Sequence, residues 1–182
     1  MFGLPAVSLR AAVIAAVLFG LGACVADRDQ FPPACPRVAF LTPTADLSVY
    51  RPGSSGRDLT QLMIAGRMQG INGECHPGGN KSTVRATVSV SAILARGPAM
   101  PGNVANVPVF IAVTDGDQIL DKRIYTLKAE FPSNVDRVTV SSPEVSLALP
   151  VSSTKSAAAY SILAGFQLTP DQLAANRAAQ RR

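Results

Sequence analysis

The chain has 182 residues, of which 47% are hydrophobic, and its 17 basic and 12 acidic side chains give a formal net charge of +5. This length and apolar content suit one domain with a substantial core. The positive excess is mild and spread along the chain, so we predict no nucleic-acid partner. The chain contains no tryptophan and only 5% aromatic residues, and carbohydrate binding, which commonly uses stacked aromatic rings, is therefore unsupported.

The first 23 residues have the layout of a secretory signal. Arg10 is the only basic residue in this segment, and an apolar run over residues 11–19 follows it. The run is shorter than the roughly 20 apolar residues that a permanent membrane-spanning helix needs. We therefore predict that residues 1–23 are an export signal that is cleaved off.

The end of this signal resembles the lipobox of bacterial lipoproteins, with a branched apolar residue, two small residues and a cysteine at Leu21, Gly22, Ala23 and Cys24. The resemblance implies cleavage before Cys24 and acylation of its thiol and its new amino group. Two or three acyl chains give a lasting anchor, since each buried methylene contributes about 0.8 kcal/mol. The alternative is an ordinary signal peptide with a cysteine near its cleavage site. Val25 follows where an aspartate would favour the inner membrane, so we expect a periplasm-facing protein anchored in the outer membrane.

The two remaining cysteines are predicted to form a disulfide. Lipidation of Cys24 leaves Cys35 and Cys75 in a compartment that permits oxidation. Closing the loop over residues 35–75 would stabilise the fold by roughly 4 kcal/mol on the chain-entropy model. The alternative is two separate buried thiols.

The mature chain divides into three expected parts. Residues 24–36 are polar or proline-bearing and read as a lipidated tether. Residues 37–168 carry short apolar runs separated by turn signals, and residues 169–182 form a terminal helix. The clearest run alternates between apolar and polar side chains from Val84 to Leu94, which is the period of a half-buried strand.

Seven to nine short strands are predicted in this domain. The candidate segments are residues 37–41, 47–50, 62–71, 84–94, 107–113, 119–127, 137–140, 145–149 and 160–168. The sequence Asp115-Gly116-Asp117 is typical of a hairpin turn between two of them. The predicted fold is mainly β: a single antiparallel β-sandwich, immunoglobulin-like or similar, with a short C-terminal helix.

The helix has a clear start signal. Thr169 is a predicted N-cap, Pro170 suits the first helical position, and Gln172 can complete a capping box. Arg177 and Arg181 lie toward its C-terminus, where cations suit the helix dipole. We expect either that this helix is a contact surface for a partner or that it closes one end of the sandwich.

Two local patterns resemble nucleotide or serine chemistry. Residues 78–82 read Gly-Gly-Asn-Lys-Ser, but a P-loop needs a glycine immediately before the lysine and a helix after it, so a glycine-rich turn is the preferred interpretation. Ser152 and Lys155 match the S-x-x-K motif of penicillin-binding proteins. The supporting elements of that family are absent from the sequence, and we interpret this segment as a polar loop.

Two further patterns resemble thiol or metal chemistry. His76 is the only histidine and follows Cys75, but adjacent side chains usually point apart and no second histidine completes a zinc set. Asp115 and Asp117 could offer oxygen ligands to calcium, yet a tight turn uses the same residues. We predict no catalytic residue, no metal site and no cofactor.

Several segments together are similar to a family of Gram-negative envelope lipoproteins to which no activity is attached. The matching features are the lipobox, the Cys35-Pro36 start, Cys75, and residues 95–98 and 165–170. This resemblance covers most of the chain and implies an envelope location, but it carries no functional residue to this sequence.

An anchor and a core without a complete catalytic set favour a non-catalytic function. We predict a membrane-anchored envelope lipoprotein that interacts with, or helps to assemble, another envelope component; this predicts an exposed apolar patch or an open sheet edge. One alternative is a periplasmic ligand- or glycan-binding module, which predicts a concave apolar pocket. Another is a hydrolase that uses Ser152 with Lys155, or His76 with an acid, within hydrogen-bond reach.

Overall fold

The computed structural model of the protein describes residues 34–53, 58–80 and 82–181. The predicted export signal, the lipidation site Cys24 and most of the predicted tether therefore lie outside the described residues. In the part of the chain that is described, no helix is long and apolar enough to cross a membrane.

The described residues fold mainly as β structure, as predicted, and form nine strands in two sheets and one short C-terminal helix. Every segment proposed as a strand from the sequence overlaps one of these strands. The strands are β1 (Arg37–Phe40), β2 (Asp46–Tyr50), β3 (Leu62–Pro77), β4 (Thr83–Arg96), β5 (Val104–Asp115), β6 (Gln118–Glu130), β7 (Arg137–Ser141), β8 (Val145–Pro150) and β9 (Tyr160–Phe166), and the helix is α1 (Pro170–Gln180).

The first sheet, sheet A, has the strand order β1-β9-β5-β6, and the second, sheet B, has the order β2-β3-β4 followed by β7 and β8. Strands β7 and β8 pair with successive halves of β4 and so share one of its edges. All the pairs are antiparallel except β1 with β9, which run parallel. This one pair joins the two ends of the domain, a long-range contact that no local sequence pattern encodes.

One hydrophobic core fills the space between the inner faces of the two sheets. Sheet B contributes the predicted alternation of β4, in which every second side chain is at most 5% exposed; these are Val84, Ala86, Val88, Val90, Ala92 and Leu94. In sheet A, β5 buries Val109 and Ile111 on its inner face but also Phe110 on its outer face. A short 3-10 turn, Thr42–Thr44, covers the outer face beside Gly165, the strand partner of Phe110.

Strand β3 is longer than its sequence indicated. The prediction ended it at Ile71, but it continues to Pro77 as a hairpin with β4. Glycines at positions 70 and 73 are poor strand formers, yet their backbones pair with Ser91 and Val88. The long partner strand therefore overrides the local propensity.

Helix α1 covers the free edge of β2 with side-chain amides instead of apolar side chains. Three residues spaced four apart donate hydrogen bonds to backbone carbonyls: Gln172 to Ser48 at 3.4 Å, Asn176 to Asp46 at 2.7 Å, and Gln180 to Thr42 at 3.1 Å. No residue of the helix is buried. The amides of Gln172 and Asn176 satisfy carbonyls at a sheet edge that would otherwise stay open to pairing.

Candidate functional site

The predicted disulfide is present and ties the start of the domain to its second sheet. Cys35 and Cys75 are bonded, with their Cα atoms 6.0 Å apart. Cys35 precedes β1 of sheet A and Cys75 lies in β3 of sheet B. The bond therefore clamps the two sheets together and fixes the point at which the predicted tether joins the domain.

Ser152 and Lys155 do not form a nucleophile and base. Their backbones close a small turn, with Ser152 N donating to Lys155 O at 2.9 Å, while Ser152 Oγ lies 3.2 Å from Thr154 Oγ1. The Lys155 ammonium instead binds the Asp115 carboxylate and lies 4.6 Å from the centre of the Tyr160 ring. The hydrogen bond to Asp115 raises the pKa of Lys155, whereas a lysine base requires a lowered pKa.

The Cys75-His76 pattern and the Asp115-Gly116-Asp117 pattern are both explained by structural contacts. His76 is exposed and lies 3.3 Å from Glu74 Oε2, and the sulfur of Cys75 is committed to the disulfide. Gly116, with φ of 57°, turns the chain between β5 and β6, and Asp115 binds Lys155. The described residues contain no group of three or more His, Cys, Asp or Glu side chains that could hold a metal.

The glycine-rich segment is a hairpin turn between β3 and β4, as predicted. Gly78 N donates to Thr83 O at 2.8 Å, which closes the turn. Lys81, the lysine of the P-loop-like pattern, lies outside the described residues.

Two surface features were not found from the sequence, and the first is an apolar area on the outer face of sheet A. We call it the outer patch and define it by Leu41, Phe110, Ile119, Ile124 and Leu163. Ile119 and Ile124 are 62% and 58% exposed, and Leu41 is 41% exposed. Leu41, Phe110, Ile119 and Leu163 border a shallow depression of about 210 Å³, and Ile124 pairs with Phe110 across β5 and β6.

The outer patch adjoins an edge of its sheet and the end of the domain that receives the tether. Strand β6, which carries Ile119 and Ile124, is the last strand of sheet A. One continuous row of paired residues crosses the sheet from β1 to β6. In this row Arg37 pairs with Ser161, Ser161 with Thr114, and Thr114 with Ile119. Ile119 is therefore level with Arg37, two residues beyond Cys35.

The basic side chains of β6 are unequally engaged. On β6, Arg123 binds Asp121 at 3.0 Å and Lys128 binds Glu130 at 2.5 Å. Lys122 lies instead over the Phe110 ring, 4.8 Å from its centre. A cation therefore lies within the apolar surface.

The second feature is a cavity of about 380 Å³ between the two sheets, which we call the inter-sheet cavity. Its wall comes from β2, β3, the start of β5 and the segment that leads from β9 into α1. The lining residues are Leu47, Val49, Met63, Ile64, Met100, Pro101, Val104, Ala105, Asn106, Val107, Pro108, Gln167, Thr169 and Gln172.

Sequence signals for these features exist but are weak. The start of β6 carries apolar side chains on both faces, at Ile119, Leu120 and Ile124. A half-exposed strand would instead alternate between apolar and polar side chains. Nothing local distinguishes such a patch from a doubly buried strand. The cavity is formed by residues far apart in the chain, and no single segment indicates it.

Comparison with known proteins gives no relationship from which a function could be transferred: no family model, no curated protein and no solved structure matches this chain.

Proposed function

We propose that this chain is a lipid-anchored, non-catalytic envelope protein whose outer patch and β6 edge bind an extended segment of another envelope protein. The observation that carries the proposal is the coincidence of exposed Ile119 and Ile124 with the edge strand of sheet A. An edge strand offers backbone groups to an added strand, and side chains beside it supply specificity.

The chemistry of the surface describes the partner. Ile119 and Ile124 would receive apolar side chains from the added strand. Lys122, which lies over Phe110, would meet an acidic side chain, because its ammonium is positioned at the apolar surface while the other two cations of β6 bind carboxylates. The expected ligand is therefore an extended segment with alternating apolar residues and at least one acid.

The predicted tether limits where this partner can be. Ten residues lie between Cys24 and Cys35, and the eleven steps from one to the other span at most about 40 Å in a fully extended chain. The disulfide holds Cys35 at the end of the domain where Ile119 lies. A partner on the outer patch would thus lie close to the membrane that holds the acyl chains, which suits an envelope protein in or on the same membrane.

The test is site-specific photocrosslinking of the full chain in intact cells. A photoreactive phenylalanine analogue replaces Ile124, and the matched control carries it at Thr139, an exposed residue of β7 in sheet B. We expect one discrete protein adduct from position 124 and none from position 139. Mass spectrometry of the adduct then identifies the segment of the partner that is attached.

A synthetic peptide of the attached segment provides the decisive measurement. It should bind the acylated protein, and Ile124→Lys should weaken binding by at least about tenfold, because burial of one isoleucine contributes roughly 1.5–3 kcal/mol. Adducts to lipid alone would mean that the patch contacts the membrane surface and would refute protein docking. Equal adducts from both positions would refute it as well.

A further inference from the structure

We infer that the inter-sheet cavity is a binding site for a neutral, lipid-like molecule that has one alkyl chain and one hydroxyl or amide group. This site is separate from the outer patch, and the inference does not depend on protein docking there.

The cavity arises because one strand of sheet A is shorter than its neighbour. Strand β9 pairs with β5 only from Val109 onward and ends at Phe166. The first part of β5, from Val104 to Pro108, therefore pairs with β6 on one side. On the other side, Gln167 N donates to Pro108 O at 2.9 Å, and the chain then crosses to α1 over the edge of sheet B. The sheets are left apart between β2 and the start of β5.

The floor of the cavity is apolar and adaptable. Leu47, Ile64 and Val107 are 3–5% exposed and belong to the main core. Two of the four methionines of the chain, Met63 and Met100, also line it. Methionine is unbranched and polarisable, and it is common at apolar surfaces that accommodate ligands of varied shape. A volume of about 380 Å³ lies within the range of small-molecule sites.

None of the residues that line the cavity carries a formal charge. An ionised head group would lose its hydration without gaining a counter-ion, which is costly. The cavity is therefore unsuited to fatty-acid anions and phosphates. It suits a neutral amphiphile such as a long-chain alcohol or a monoacylglycerol.

Gln167 provides the polar contact. Its Oε1 atom is buried and has no hydrogen-bond partner among the described residues, and the residue lines both the inter-sheet cavity and the depression at the outer patch. A buried acceptor without a donor is rare in folded proteins and calls for an explanation. Rotation of the amide would present its oxygen or its nitrogen to a hydroxyl group inside the cavity.

The experiment uses the acylated full-length protein in phosphatidylcholine vesicles. The probe is a dodecanol that carries a diazirine and an alkyne, and a matched probe lacks the hydroxyl group. After irradiation, labelled peptides are mapped and the labelling is titrated with unlabelled dodecanol. We expect labels on the peptides that contain Met63 and Met100.

A filling substitution tests the location. Val49 is half-buried and lines the cavity, so Val49→Phe should reduce labelling at least about fivefold. Val140→Phe is the matched control, because Val140 is also a half-buried valine packed on the core but lies in β7, away from the cavity. Labelling that is insensitive to Val49→Phe, or that maps only to the outer surface, would overturn the inference.

Substitution of Gln167 tests the polar contact by itself, and this test does not require the Val49→Phe variant to fold. Gln167→Leu removes the unsatisfied acceptor, so its urea midpoint should rise. The apparent affinity for the alcohol probe should fall by roughly two- to tenfold, the usual worth of one hydrogen bond, while labelling by the probe without the hydroxyl stays the same. Equal effects on both probes would show that Gln167 does not recognise the ligand, and the assignment of an alcohol or amide would be wrong.

Discussion

The attachment of α1 gives the sharpest test of the structure, because two physical effects of one substitution have opposite signs. Asn176 Nδ2 donates to Asp46 O at 2.7 Å and to Pro43 O at 3.0 Å. Replacing Asn176 by alanine removes both bonds, and it also introduces the best helix former in place of a poor one. Tertiary contacts and helix propensity therefore predict opposite changes in stability.

The magnitudes decide the sign. The two hydrogen bonds lie at a partly exposed edge, where the freed carbonyls regain water, so their loss should cost about 1.5 kcal/mol in total. The gain in helix propensity is at most about 0.7 kcal/mol. We expect Asn176→Ala to lower the free energy of unfolding by about 1 kcal/mol. Asn176→Asp should lower it further, because a carboxylate would then face two carbonyl oxygens.

Urea unfolding of the purified protein measures this change. With a slope of about 2 kcal/mol/M, the midpoint should fall by about 0.5 M. Hydrogen exchange should accelerate throughout α1, since the helix buries no residue that could hold it in place. Arg177→Ala is the control, because Arg177 is the next residue and is exposed. An Asn176→Ala variant as stable as the wild type would refute the view that these amides attach the helix.

Three further predictions concern the fold. Replacing Cys35 and Cys75 by serine should lower the free energy of unfolding by roughly 4 kcal/mol. Urea unfolding of the reduced wild type should show the same loss of stability. Gly165→Ala should cost about 1–3 kcal/mol, because a Cβ there would lie 2.8 Å from Thr44 Cβ; Thr44→Gly should recover part of the loss, and no recovery would contradict the contact. The raised pKa of Lys155 stabilises the fold below the unfolded pKa of about 10.4, and this contribution is lost as pH rises through the folded pKa. The stability difference between wild type and Lys155→Met should therefore shrink above about pH 10.5, and a constant difference would contradict this assignment.

The local elements were predictable because each has a signal within a few residues. The alternation from Val84 to Leu94 follows from the two-residue repeat of a strand with one buried face. The capping box is also local: Thr169 Oγ1 accepts from Gln172 N at 3.3 Å, and Gln172 Oε1 accepts from Thr169 N at 2.9 Å. The disulfide was predicted by counting the cysteines left after the expected lipidation of Cys24, on the expectation of an oxidising compartment.

The candidate sites were not predictable because they depend on which strands become neighbours and where each one ends. The inter-sheet cavity exists because β9 ends at Phe166 while β5 extends further, to Val104. No residue near Phe166 indicates that β5 is the longer strand. The outer patch depends on Ile119 and Ile124 lying on the outer face of sheet A, away from the core between the two inner faces. On the inner face of the sheet, the same apolar side chains would be ordinary core.

The sequence by itself indicated seven to nine strands near their observed positions, one capped helix, and a cysteine pair that the structure shows bonded. These features depend on short-range periodicity, backbone preferences and composition. The tertiary structure alone decided the parallel pairing of β1 with β9 and the attachment of α1 through amides. It also decided the burial of the Gln167 Oε1 atom without a hydrogen-bond partner among the described residues, and the ion pair of Lys155 with Asp115. Each of these requires groups distant in the chain to meet, and the free energy of such contacts depends on the packing of the whole domain.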